Sequence, residues 1–74
     1  MAKLLSSKKI IKILCKYFNF YFVHQKGSHI KLQKISGRRK ITTIVPAHKE
    51  VAIGTLKGVL KLAKIDEKTF WKKV

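Results

Sequence analysis

Acidic residues are nearly missing from this sequence: Glu50, Asp66 and Glu67 stand against 18 lysines and arginines. Two-metal phosphodiester chemistry and hard-cation binding need several carboxylates converging on one point, and three carboxylates, two of them adjacent in the chain, do not supply them. Cysteine is reduced to one residue, Cys15, so no internal disulfide can form and a reducing, cytoplasmic setting is expected. Cys15, His24, His29 and His48 lack the paired spacings of a zinc site, so no metal and no cofactor is expected. The longest apolar run, Phe20 to Val23, falls far short of the ~18 residues of a membrane span. Lys8, Lys9 and Lys12 interrupt what a secretory signal would need as its apolar centre. One proline and four glycines, with no internal repeat or low-complexity tract, leave no room for a linker. A single domain over 1–74 is expected, with a radius of gyration of roughly 11 Å.

What the chain has in excess is positive charge, a formal +15 at pH 7, with apolar residues at 46%. That apolar share suits a packed globule rather than a charged disordered tail. Ordinary surfaces intersperse both signs, whereas a one-sided excess on so small a globule repels itself and calls for a polyanionic partner. Nucleic acid fits first; an acidic protein and an anionic membrane surface fit less well.

Leu5-Ser6-Ser7 starts a helix over about 6–18, with Ser6 as cap and Leu5 packing against Ile10. Its apolar stripe holds Ile10, Ile11, Ile13, Leu14, Cys15, Tyr17 and Phe18, opposite Lys8, Lys9, Lys12 and Lys16. Asn19 is placed to end it in the left-handed conformation. Three strands follow at about 20–25, 29–35 and 40–45, separated by turns at Lys26-Gly27-Ser28 and Ser36-Gly37-Arg38-Arg39 and halted by Pro46. Leu56, Val59, Leu60 and Ala63 mark a second helix over about 54–64, and Asp66 caps a short one over about 66–73. The expected class is α+β: an α-β-β-β-α order with a small helical tail, a three-stranded antiparallel sheet, both main helices on one face, and the other face open to solvent. That order matches the double-stranded-RNA-binding fold, which reads shape, phosphates and 2′-hydroxyls.

RNA cleavage can proceed without metal if an imidazole moves the 2′-hydroxyl proton and cations stabilise the phosphorane. His29 opens the second strand on the side opposite Ile30 and Leu32, so it is expected to be exposed. Lys26, Lys31, Arg38 and Arg39 are candidate phosphate holders, with Lys57 and Lys61 on the second helix. His24 shares parity with Phe20 and Phe22 and is expected to pack inward. His48 could bind phosphate, orient His29 or only bond to backbone; Ser28 could meet a phosphate or only support the turn that Gly27 makes. Cys15 reads as a small packed residue. The competing reading is a non-catalytic module that binds double-stranded or structured RNA.

Leu5-Ser6-Ser7 before an amphipathic helix, then Gln25-Lys26-Gly27-Ser28-His29, Val45-Pro46-Ala47-His48, Gly54-Thr55-Leu56 and Leu60, in this order and at these distances, resembles the HicA family from about Lys3 to Phe70. The resemblance implies a toxin of a type II toxin-antitoxin pair, an mRNA endonuclease with His29 as its catalytic residue, and a HicB-type antitoxin that covers the active face. Two positions depart from the family pattern. Asn19-Phe20 replaces Gly-Phe after the first helix, and Ile30 stands where a second histidine often follows the motif histidine. A second proton carrier would then be His48, a lysine or water.

Overall fold

The computed structural model describes residues 4–74; the first three positions of the expected 1–74 domain, and with them Lys3, lie outside the described residues. Helix α1 spans Ser7–Tyr17, strands β1, β2 and β3 span Tyr21–Lys26, His29–Ser36 and Arg39–Pro46, and helices α2 and α3 span Ile53–Ala63 and Glu67–Trp71. The order is the expected one, and the Cα radius of gyration is 11.5 Å. Among the described residues no helix is long and apolar enough to cross a membrane.

Each boundary has a local cause. The Ser6 hydroxyl accepts the Lys9 backbone N–H at 3.1 Å, satisfying one of the free donors at the start of α1. Asn19 ends that helix at φ 62°, and the Phe20 N–H turns back to the Leu14 carbonyl at 3.2 Å. Asp66 caps α3 by accepting the Thr69 N–H at 3.3 Å. Helix α2 ends on Lys64 in the left-handed region at φ 58°, with Lys64 N–H on the Lys61 carbonyl and Ile65 N–H on the Leu60 carbonyl. This is the Schellman arrangement, normally completed by glycine, and Ile65 is buried beyond it.

The sheet order is β1-β2-β3, antiparallel throughout. Two-residue loops join the strands, Gly27-Ser28 and Gly37-Arg38, and in each only the glycine has positive φ, 60° and 63°. That is the type II′ pattern, whose twist matches the twist of the flanking strands. The β2–β3 ladder runs unbroken from His29↔Pro46 to Ser36↔Arg39. The β1–β2 ladder slips once: Phe22 faces Leu32, His24 faces Lys31, and Val23 has no partner. This one-residue bulge reverses the parity of everything after it.

Ile30, Leu32, Thr43 and Val45 form the covered face of the sheet, beneath Ile10, Ile13 and Leu14 of α1 and Leu56, Val59, Leu60 and Ala63 of α2. The fully buried Thr43 hydroxyl donates to the Val59 carbonyl at 2.8 Å and ties α2 to β3. Leu5 packs against the core and forms a β-bridge with Val51, while the Ser7 N–H meets the His48 carbonyl at 3.0 Å. Phe70 from α3 is completely buried.

Two packing expectations fail. Tyr17 belongs to the apolar stripe by periodicity but is 46% exposed; its ring receives the Lys16 and Lys73 ammonium groups at 5.3 and 5.4 Å. Phe22 is 58% exposed because β1 is an edge strand that the helices do not reach, and Phe20, just before the strand, is buried in its stead. The half-buried Cys15 thiol has its pKa raised by burial.

Lys64→Gly should relieve roughly 1–2 kcal/mol of left-handed strain against about 0.4–1 kcal/mol of added freedom in the unfolded chain. A net gain of about 0.5–1 kcal/mol is expected in urea unfolding. Phe70→Ala should cost about 3–5 kcal/mol, a large share of the stability of a chain this size. Iodoacetamide should alkylate Cys15 more slowly than a free thiol at mildly alkaline pH, because less of it is thiolate, and urea should abolish the difference.

Candidate active site

The β1–β2 hairpin leaves one sheet face open. In an antiparallel ladder, facing residues share a side, so the register assigns His24, Lys26, His29, Lys31 and Ile44 to the side opposite Ile30 and Leu32. These five line a hollow of about 360 Å³, at the lower end of the range for small-ligand sites. Within it His24 faces Lys31 and Lys26 faces His29. Facing Cβ atoms stand about 4.5–5.5 Å apart, and diagonal neighbours about 7–8 Å. The four Cβ atoms therefore form a quadrilateral with the two histidines on one diagonal and the two lysines on the other.

The hollow is held from behind. Gln25 Nε2 donates to the Gly27 carbonyl at 2.9 Å, closing the turn with a side chain from its own strand. The Ala47 N–H donates to the Ser28 carbonyl at 2.7 Å, so β3 grips the same turn from the other side. Nearby on this face Gln33 Nε2 donates to Thr42 Oγ1 at 3.1 Å. No Asp or Glu occurs in any of the three strands, so no carboxylate on the sheet offsets the lysines. Among the described residues, no three His, Cys, Asp or Glu side chains gather where they could hold a metal ion.

His29 is exposed beside Lys26 and Lys31, where the sequence placed it. His24 is the correction: expected to pack inward, it is exposed and shares the hollow with His29. The parity count from Phe20 and Phe22 assumed an unbroken strand, and the bulge at Val23 inverts it. Nothing in Phe20 to Gln25 marks a bulge, for the stretch has no glycine or proline.

His48 is exposed and lines a second hollow with Ser6, Ser7, Lys8, Ala47 and Lys49 at the start of α1, directly after Ala47, whose N–H holds the Ser28 carbonyl. Arg38 in the β2–β3 turn and Arg39 at the start of β3 lie about 23–25 Å along an eight-residue strand from His29. Lys57 and Lys61 are exposed on α2, in the layer that covers the opposite sheet face. None of these four cations reaches a phosphate held at His29. Ser28 and Gly27 form the turn itself.

The arrangement can neutralise one phosphate with two ammonium groups and move protons with an imidazole at its edge. A family model described as the HicA toxin of bacterial toxin-antitoxin systems matches residues 7–65, from the first residue of α1 to the buried Ile65. The matched segment contains the whole sheet and its hollow, while α3 lies beyond it. No curated protein and no solved structure matches the chain. With four-fifths of its 74 residues inside that match, the chain belongs to the HicA family of toxins of bacterial toxin-antitoxin systems.

Proposed function

We propose that this HicA-family toxin is an RNA endonuclease that cuts through general acid-base chemistry, with His29 as its catalytic residue. The supporting observation is an exposed imidazole on an acid-free sheet face, flanked by Lys26 and Lys31. RNA carries its own nucleophile, the ribose 2′-hydroxyl. The protein has only to move the proton from that oxygen, stabilise the extra negative charge on the phosphorane, and let the 5′-oxygen leave. The products are a 2′,3′-cyclic phosphate and a free 5′-hydroxyl. Lys26 and Lys31 hold the phosphate through the transition state, and the turn fixed by Gln25 and Ala47 keeps His29 in place.

The same cations explain both partners. Membership of the family brings a cognate antitoxin, of the HicB type in this reading, and a protein with acidic side chains over the hollow would replace the phosphates that the lysines otherwise bind. The substrate is mRNA, so the reaction takes place in the cytoplasm. Arg38, Arg39, Lys57 and Lys61, remote from the cut bond, then serve the general attraction to a phosphate backbone, which weakens steeply with salt.

Purified protein incubated with RNA in excess chelator should cut it, and loss of cutting under those conditions would remove the metal-independent mechanism. His29→Ala should slow cleavage by about 10²–10⁴-fold while leaving RNA retention nearly unchanged. Growth arrest that persists on induction of His29→Ala would show that His29 is not catalytic. RNA retained by the unaltered protein without any product would favour the binding module instead.

A further inference from the structure

We propose that His24 is the second proton carrier of the cleavage, so that the two imidazoles divide the two proton transfers between them. The inference rests on the reading of the hollow as an RNA-cleaving site. Two proton movements bracket the reaction. A bond forms between the 2′-oxygen and phosphorus as that oxygen loses its proton, and the bond from phosphorus to the 5′-oxygen breaks as that oxygen gains one. In an in-line displacement the two oxygens lie on opposite sides of phosphorus, so one fixed imidazole cannot touch both.

The geometry points to the partner. His24 faces Lys31 and Lys26 faces His29, which makes His24 and His29 diagonal neighbours about 7–8 Å apart at the backbone. Imidazoles borne on backbones that far apart can stand on either side of one phosphorus centre, each at about 2.8 Å from one of its apical oxygens. Lys26 and Lys31, on the crossing diagonal, meet the equatorial phosphoryl oxygens, where charge accumulates. The two apical oxygens meet imidazoles and the equatorial ones meet ammonium groups.

The placement of His24 also has a structural cause that the packing does not demand. Phe22 shares a side with the buried Leu32, so an unbroken strand would send His24 to the same covered side. The bulge at Val23 turns it onto the open face instead, where it is exposed and lines the hollow with His29. His48 lines the hollow at the start of α1 and not the one that His24 and His29 share.

One base ends the reaction protonated and the other deprotonated, so the pair returns to its starting state by exchanging one proton with water. His24→Ala and His24→Gln should each slow cutting of ordinary RNA by about 10²–10⁴-fold, with RNA retention and thermal unfolding close to those of the unaltered protein.

The decisive comparison uses an oligoribonucleotide carrying sulfur for the 5′-oxygen at the bond the protein cuts, because a thiolate leaves without a proton. On it, one of the two variants, His24→Ala or His29→Ala, should recover to within about tenfold of the unaltered protein and the other should stay slow, identifying acid and base. His24→Ala cutting ordinary RNA at full rate would overturn the inference, as would both variants being equally slow, or equally rescued, on the sulfur substrate. If the unaltered protein cuts neither substrate, the nuclease reading itself fails; if His29→Ala cuts as the unaltered protein does, the chain is a nuclease but His29 is not its catalytic residue, and the pairing of His24 with it falls.

Discussion

The hydrogen-bonded register of β2 with its two neighbours decides which side chains this protein shows to its surroundings. Side chains alternate strictly along a strand, so a shift of one residue exchanges the covered and open faces. The β2–β3 ladder is unbroken over eight pairs, which commits Ile30, Leu32, Thr43 and Val45 to the core and leaves Lys31 and Ile44 on the opposite side. The β1–β2 ladder obeys the same constraint only as far as its bulge, and that single irregularity gathers the two histidines and two lysines. Both II′ turns serve register as much as reversal, since a two-residue loop allows no slack in the pairing that follows it.

Charge is the second constraint. A net +15 on 74 residues opposes compaction, and three acidic side chains cannot pair with most of the cations. Aromatic rings take some of that work. Lys16 and Lys73 sit over Tyr17, and Lys34 lies over Phe20 at 5.3 Å. Each ammonium group lies within the ~6 Å at which a ring face attracts a cation, so these rings offer some of the attraction that carboxylates give on other surfaces. The sheet face is spared even that. Its lysines have no acidic neighbour within the strands, so neutralisation is left to whatever binds there.

Much of this was readable from the residues. The caps Ser6, Asn19 and Asp66, the glycines of both turns and the apolar periods of α1 and α2 act locally, and each predicted boundary falls within about two residues of the structure. His29 was legible because a turn glycine and an alternating strand fix its side. His24 was not, because a bulge is a tertiary choice that leaves no mark in Phe20 to Gln25. Tyr17 and Phe22 were misjudged for a related reason: periodicity reports which face is apolar, and it is silent about how far the neighbouring element extends to cover it. Arg38 is close to His29 in sequence and in charge, but the length of β2 sets them at opposite ends of the hairpin pair.

The burial of Phe70 ties folding to chain synthesis. The family-matched segment ends at residue 65, yet the core it encloses is completed by a side chain five positions later. A polypeptide emerging from the ribosome can form its hairpins and α1 early, but it cannot close its apolar interior until α3 has emerged as well. Until then the part of the core that Phe70 covers stays open to water.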